Sequence, residues 1–163
     1  SPVSGSVTSI IIEGARPFLV EVQALTAKAS FGYPQRKANG FDLNRLQMLI
    51  AVISKIAKID LSSQDIYLNV TGGLKIKETA TDLAVCLAII SAFLEKPISE
   101  KTLIFGEVGL SGEIRSIPQI QKRISEGKKL GFEKIITPTI RDIESATNII
   151  FVSTIQEAIR SIN

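Results

Sequence analysis

"IYLNVTGGLKIKETATDLAVCLAIISAFL", residues 66–94, carries the strongest structural signal in the chain. Its β-branched and apolar start predicts a strand over residues 65–70, and Gly72-Gly73 predicts a tight turn after it. From about residue 79 to residue 94 the sequence is apolar on nearly every side, which is typical of a buried helix. A strand, a turn and a central helix in this order indicate an α/β fold.

The link between this strand and this helix contains two lysines and a helix-start signal. Lys75 and Lys77 lie two residues apart in a short segment, 74–77, that we expect to be extended, so their side chains share one face. Thr79 and Asp82 have the spacing of a capping box, which predicts that the helix begins there. The chain contains neither GxGxxG nor GxxxxGK[ST], so the two glycines are interpreted as a turn and not as a phosphate-binding loop.

Hydrophobic periodicity and turn residues predict the remaining elements. Strands and helices alternate in the last third, which favours parallel pairing there, whereas the first half opens with a hairpin. We therefore expect one mixed α/β domain over residues 1–163. The predicted elements are strands 6–13 and 17–26, helix 42–58 capped by Asp42, strand 103–105, a hairpin that turns at 109–112, helix 118–130, strand 134–137, a short irregular or helical piece, strand 149–152 and helix 153–161.

Residues 27–40 form the longest predicted loop. Gly32, Pro34 and Gly40 disfavour regular structure in this segment, and Arg36-Lys37 are expected at its tip. A loop of this length inside a small domain is often functional, but it is equally compatible with a solvated connection. Both interpretations remain open from the sequence.

Composition limits the class of protein. The 163 residues are 45% hydrophobic and 21% charged and include no 20-residue apolar run, which predicts a globular protein outside the membrane. The net charge of +3 permits an anionic partner without requiring one. Cys86 is the single cysteine and lies in an apolar run, so we expect a buried thiol, a reducing cytoplasm and no disulfide. The chain begins with Ser-Pro and not with methionine, from which we expect a domain excised from a longer protein.

The absence of histidine excludes several catalytic mechanisms. Ser-His-Asp triads, Cys-His pairs, histidine general bases and histidine-ligated zinc all require a residue that the chain does not contain. Glu107 and Glu113 flank the predicted hairpin and could form an acid/base pair, but solvated turn residues explain them better. A hydrolase would therefore need a serine or threonine nucleophile activated by lysine.

Several motifs together resemble one known family. They are Arg16-Pro17 with LVEVQAL, NGFDLNRLQMLIAVISK, the opening stretch, KP at 96–97, GEVGLSGEIRSI with Arg123, and KKLGF before IITP. In this order they are similar to the C-terminal, Lon-protease-like domain of the RadA (Sms) family of bacterial DNA-repair proteins. The resemblance implies the mixed α/β sandwich of the Lon catalytic domain, which is also called ribosomal-protein domain-2-like.

The resemblance also implies where a Lon protease would hold its serine and its lysine. Those positions fall on Ala80 and Gln121 here, and neither residue can act as nucleophile or as activating amine. A register shift of one residue would bring Thr79 or Thr81 together with Lys122, but the proline and glycine of the Lon motif are missing as well. We therefore predict a domain without peptidase activity, with a residual Ser/Thr-Lys peptidase as the alternative.

The family resemblance implies a role in DNA recombination. It implies a hexameric ring that binds single-stranded or branched DNA and promotes branch migration in the cytoplasm. ATP, Mg and Zn would be bound by an N-terminal zinc motif and a RecA-like ATPase that lie outside this chain, and no cofactor is expected within it. A purely structural ring-former without a ligand of its own is a third interpretation.

Cationic side chains are the candidate DNA contacts, since lysine and arginine supply sequence-independent, salt-sensitive affinity for phosphates. The first-rank candidates are Lys75, Lys77, Arg115, Arg36 and Lys37. Lys122 and Arg123 are second-rank candidates, because they oppose the dipole at a helix start. In a Lon-like fold the five first-rank residues should lie near one another on one face. For any single residue, an ordinary surface charge is about as good an explanation.

Overall fold

A computed structural model describes residues 2–141, 146 and 148–163 and contains a seven-stranded sheet with the strand order β3-β4-β2-β1-β5-β8-β9. A two-stranded hairpin, β6-β7, lies beside it. The strands are β1 (Ser6–Glu13), β2 (Arg16–Lys28), β3 (Arg36–Asn39), β4 (Gln64–Val70), β5 (Thr102–Ile104), β6 (Glu107–Val108), β7 (Ile114–Arg115), β8 (Lys134–Pro138) and β9 (Ile149–Val152). The α-helices are α1 (Leu43–Lys55), α2 (Asp82–Leu94), α3 (Ile120–Lys129) and α4 (Ile155–Ile162).

The pairing of the strands confirms the predicted fold class. β1 pairs antiparallel with β2, and β2 pairs antiparallel with β4, as expected for a hairpin-led first half. β5, β8 and β9 pair parallel with one another, and β1 pairs parallel with β5. The sheet is therefore mixed and mostly parallel, as predicted for an α/β sandwich.

The two faces of the sheet pack against different helices. Successive side chains of a strand point to opposite faces, and Ile11 belongs to the large core around α1, α2 and α4 while Ile10 belongs to a second core with residues of α3. α2 is the centre of the large core, since ten of its residues from Asp82 to Ser91 are buried. The prediction of a central buried helix is confirmed.

A local signal correctly predicted the start of α1. The side chain of Asp42 accepts a hydrogen bond from the backbone N–H of Arg45 at 2.8 Å and caps α1, as predicted. Thr154 caps α4 in the same manner, with Glu157 N–H as donor. Gly72 and Gly73 have φ angles of +85° and +69° in a tight turn, which confirms that interpretation.

The capping box predicted at Thr79–Asp82 is wrong. Residues Thr79–Thr81 form a single 3₁₀ turn before α2, and Thr81 at the N-cap position makes no side-chain capping bond. The Thr79 hydroxyl donates instead to Glu107 at 2.6 Å, and Asp82 pairs with Arg45. Thr79 and Asp82 therefore bond to residues far away in the sequence, and not within the capping box that the local pattern predicted.

The predicted loop 27–40 is shorter than expected. Residues Arg36–Asn39 of this segment form the edge strand β3, which pairs parallel with β4, so Arg36 and Lys37 do not lie at a loop tip. Leu74 has an extended backbone as predicted, but the segment 74–77 belongs to no strand. The irregular piece predicted between β8 and β9 falls partly on residues 142–145 and 147, which lie outside the described residues.

None of the described helices is long and apolar enough to cross a membrane.

Candidate functional site

Ala80 and Gln121, the residues that the family resemblance aligns with the two Lon catalytic positions, carry no catalytic group. Ala80 is only 1% exposed and packs in the smaller core, where Ile10, Ile117 and Ile120 also lie. Its carbonyl accepts a hydrogen bond from Gly106 N–H at 2.7 Å, which ties the start of α2 to the strand that leads into the hairpin. Gln121 is exposed in the first turn of α3. A buried methyl group and an exposed amide cannot carry out nucleophilic attack.

The alternative threonine-lysine pair is not assembled. The Lys122 amine donates to the carbonyl of Ala15 in the turn between β1 and β2. Thr79 donates to Glu107, while Thr81 is fully buried and its hydroxyl has no hydrogen-bond partner within the described part of the chain. The structure therefore shows no threonine next to the amine that would have to activate it.

A partly buried ion pair joins α3 to the segment that leads into α2. Arg123 on α3 is 1% exposed and donates to both carboxylate oxygens of Glu78, at 2.7 and 3.2 Å. Its guanidinium also donates to the carbonyls of Ile10 at 2.9 Å and Pro118 at 3.1 Å. Arg123 is therefore removed from the candidate DNA contacts, because its donors are used inside the protein and cannot reach a phosphate.

A second buried pair fixes the start of α2 to the hairpin. The Asp82 carboxylate is fully buried and accepts from Arg45 on α1 and from Val108 N–H at 3.2 Å. Burial raises the pKa of Asp82, and the bonds from Arg45 and Val108 act against that rise. The same pair raises the pKa of Arg45. α1, α2 and β6 are thus held together by one charged contact.

The hairpin carboxylates are part of a surface ion-pair network. Glu107 accepts from Thr79 and lies 3.8 Å from Arg115, while Glu113 accepts from Arg115 at 3.1 Å and from Ser111 N–H at 3.1 Å. Hydrogen bonding to its own backbone N–H and to that of Ser111 lowers the pKa of Glu113, and Arg115 acts in the same direction. Both carboxylates therefore pair with Arg115, which favours a structural role over acid/base catalysis.

Lys75 and Lys77 point outward from the segment before α2. Ile76 between them is buried, and its N–H donates to the carbonyl of Gly40 at 2.8 Å. This bond places the lysine segment next to the end of β3, and Lys75 lines a cleft together with Asn39 and other residues around that strand end. Both lysines are exposed, and neither makes an ion pair with any residue that the structure describes.

The structure brings part of the predicted cationic set together. Thr79 follows Lys77 by two residues and contacts Glu107, which contacts Arg115, so the lysine segment adjoins the hairpin. Lys37 is exposed on β3, whose other end adjoins Lys75. We name Lys37, Lys75, Lys77 and Arg115 the cationic row; Arg115 also pairs with Glu107 and Glu113, but its side chain is still 58% exposed.

The other candidates lie apart from this row or are engaged inside the protein. Arg36 is half-buried and donates to the carbonyl of Leu61 at 2.8 Å. Lys122 is held at the turn between β1 and β2. No group of three or more His, Cys, Asp or Glu side chains that could hold a metal ion occurs among the residues of the described ranges.

Comparison of the sequence with known proteins identifies a family. The family model ChlI, described as subunit ChlI of Mg-chelatase, matches residues 40–140. The chain belongs to the ChlI family. The matched range contains β4, α2, the hairpin and α3, so it includes every element that positions the two buried ion pairs.

This ChlI-family chain is also similar to curated proteins named DNA repair protein RadA. The relative from Aquifex aeolicus is 47% identical over 156 residues, which are 95% of this chain and 35% of the relative. The relative from Haemophilus influenzae is 44% identical over 154 residues, or 94% and 34%, and that from Escherichia coli K12 is 44% identical over 135 residues, or 83% and 29%. The resemblance drawn from the motifs is confirmed, and the chain spans about a third of the length of these relatives.

Sequence reasoning missed both buried ion pairs. Arg45 and Asp82 are 37 residues apart, and Glu78 and Arg123 are 45 residues apart, so no local pattern links them. One signal was present: an arginine at a helix start opposes the dipole, and an unfavourable position of this kind calls for a compensating partner. Glu78 is that partner for Arg123.

Proposed function

We propose that this ChlI-family chain is a non-proteolytic, Lon-like scaffold domain of a RadA-type DNA-repair ATPase, and that it binds DNA without base preference. The observation that carries the proposal is the cationic row, which is exposed beside the two segments where a Lon protease would hold its dyad. The names of the RadA relatives supply the DNA-repair context.

The chemistry of the row fits a phosphate backbone. Lysine and arginine neutralise phosphates and release counterions, so each contact contributes affinity that falls with salt and does not depend on sequence. Lys75 and Lys77 project from a segment whose backbone Gly40 and the buried Ile76 hold in place, so the positions of their Cα atoms are fixed relative to each other. A fixed pair of cations loses less conformational freedom on binding than a mobile tail does.

Assembly in a ring would multiply this surface. We propose that the longer protein forms a hexamer in the cytoplasm, takes part in branch migration during recombination, and binds ATP, Mg and Zn through parts outside residues 1–163. Six copies of four cations would line one continuous surface, and several weak contacts on one DNA molecule act together. Single-stranded or branched DNA is the proposed ligand.

A residual peptidase is the less favoured alternative. Ala80 and Gln121 stand at the catalytic positions, and Lys122 donates to Ala15 instead of to a threonine. We therefore expect no turnover of casein, and no change in the Thr81→Ala and Lys122→Ala variants. Peptide cleavage that either substitution abolishes would favour the alternative.

Titration of labelled DNA at two salt concentrations tests the proposal. We expect Lys75→Ala, Lys77→Ala and Arg115→Ala each to weaken binding and to reduce the salt slope by about one. Lys96→Ala is the matched control. Lys96 is exposed and follows the C-terminal end of α2, and this end of the helix is about 20 Å from Asp82 at its start. Equal affinity of all four variants and the parent chain would contradict the proposal, and the mass in solution would show whether the chain assembles.

A further inference from the structure

Two aromatic side chains are almost fully exposed on the segment between β2 and β3. Phe31 is 92% exposed and Tyr33 is 94% exposed, more than any other large apolar side chain in the described ranges. Aromatic rings bury large areas in protein cores and interfaces, so leaving two of them in water forgoes substantial stabilisation of the isolated chain. Packing in the core therefore does not explain why two aromatic residues occur here.

The base of this segment is held firmly, although its tip is exposed. Ala29 N–H donates to the carbonyl of Ser63 at 2.9 Å, and Gln35 N–H donates to the Asp65 carboxylate at 2.7 Å. Gln35 in turn accepts from Ile66 N–H at 2.8 Å. The segment is thus fastened to the start of β4 on both sides of the aromatic pair.

Apart from Pro34, the residues between and around the rings along the chain are small or polar. Gly32 separates the rings and has a φ of +52°, a conformation that a side chain would strain. Ser30 and Gln35 are exposed and supply no apolar area. A protein-binding hot spot would be surrounded by further apolar contacts, whereas Pro34 is the one other large apolar residue in the sequence of residues 29–35.

We propose that Phe31 and Tyr33 form a stacking platform for the bases of single-stranded nucleic acid, at one end of the cationic row. This inference rests on the proposed function and assigns the single-strand preference to two residues. Exposed aromatic rings beside cationic side chains are the arrangement that binds single strands, because each base offers a face for stacking. Duplex DNA offers no such faces, since its bases are already stacked on each other.

β3 connects the platform to the row. The strand has four residues, which span about 13 Å, and it begins just after the aromatic segment and ends beside Lys75. Lys37 is exposed along this strand. A single strand that stacks on the rings would therefore pass Lys37 before it reaches Lys75 and Lys77.

Binding of the 163-residue chain to an oligo(dT) 30-mer and to a 30-base-pair duplex, at two salt concentrations, separates stacking from charge. We expect Phe31→Ala and Tyr33→Ala each to weaken binding of the single strand by about 5- to 150-fold with the salt slope unchanged, and to leave duplex binding as it was. Leu110→Ala is the control, because Leu110 is another exposed apolar residue, at 65%, on the hairpin turn.

A tryptophan reporter makes the stacking visible directly. The chain contains no tryptophan, so Tyr33→Trp introduces a single fluorophore that retains the ability to stack. We expect oligo(dT) to quench its emission at the concentration that saturates binding, and Leu110→Trp to remain unquenched. Unchanged emission of Tyr33→Trp at saturation would overturn the platform.

The two proposals fail in different ways. If the lysine variants lose affinity while Phe31→Ala and Tyr33→Ala bind oligo(dT) like the parent chain, the stacking platform is refuted and the proposed function stands. If the aromatic variants instead change the mass in solution and leave DNA affinity unaltered, the pair contacts another protein chain and the platform is refuted. If the parent chain binds no DNA at all, both proposals fail.

Discussion

Arg123 and Glu78 form a two-pronged ion pair, at 2.7 and 3.2 Å, between α3 and the segment that leads into α2. In a Lon protease these two segments would hold the lysine and the serine. Here Ala80 and Gln121 leave them without a catalytic contact, and the buried arginine supplies a structural one. This contact holds α3 and the segment before α2 together.

We expect removal of the Arg123 side chain to destabilise the chain severely. Arg123→Ala leaves the Glu78 carboxylate without its counter-charge and the carbonyls of Ile10 and Pro118 without a donor. Loss of one partner from a fully buried pair costs about 3–5 kcal/mol of unfolding free energy, and because Glu78 is 30% exposed and can be partly solvated we expect a loss near the lower end, about 3 kcal/mol. Urea denaturation measures the loss, with Arg115→Ala, which removes a 58% exposed side chain, expected to cost under about 1 kcal/mol. Equal losses in the two variants would contradict the prediction.

Much of the fold follows from local sequence patterns. The apolar composition of α2 and the capping signals at Asp42 are local, and the structure contains both features as predicted. β3 was missed because its four residues, Arg36–Asn39, include no β-branched or aromatic side chain. This strand forms because β4 offers an edge to pair with, and that edge is a tertiary feature.

The candidate site was less predictable than the fold. Which cations face solvent depends on partners far along the chain, and Arg123 was misjudged because Glu78 lies 45 residues before it. Lys75 and Lys77 were placed correctly on one face because alternation along an extended segment is local. The exposure of Phe31 and Tyr33 could not be predicted, since aromatic residues are ordinarily buried.

The Arg45–Asp82 pair predicts a pH-dependent defect. Arg45→Met leaves the Asp82 carboxylate buried with only Val108 N–H as donor, so we expect a loss of about 3–5 kcal/mol at pH 7. Burial already raises the pKa of Asp82, and without Arg45 nothing of opposite charge counters that rise. A raised pKa in the folded state favours the protonated form, so the defect should shrink as the pH falls.

Stability of the Arg45→Met variant at pH 4 and pH 7 measures this effect. Asp82→Asn combined with Arg45→Met is the matched control, because a neutral amide removes the charge that would otherwise have to be protonated. We expect the double variant to be more stable than Arg45→Met at pH 7 and to show a weaker dependence on pH. A defect of the same size at both pH values would refute the assignment to Asp82.

The thiol of Cys86 should be inert in the folded chain. Cys86 is fully buried in α2, and burial raises its pKa well above the ordinary value for a thiol. The thiolate is the reactive form, and both its scarcity and its inaccessibility oppose reaction. We expect the chromogenic reagent DTNB at pH 8 to label one equivalent in urea and none within minutes in native buffer. Rapid labelling of the native chain would show that α2 opens to solvent.

Gly40 should be essential for the position of the lysine segment, whereas Gly72 should not. The two glycines have a similar positive φ, +82° and +85°. A Cβ added at Gly40 would lie 2.6 Å from the carbonyl oxygen of Leu74. A Cβ added at Gly72 would have no atom of the described residues within 4 Å. Gly72→Ala should therefore cost only the backbone strain, about 1–2 kcal/mol. Gly40→Ala should cost about 2–5 kcal/mol and weaken DNA binding, because it forces Leu74 and Lys75 away from β3. Equal stability and equal DNA affinity of the two variants would show that the contact between Gly40 and Leu74 does not hold the segment.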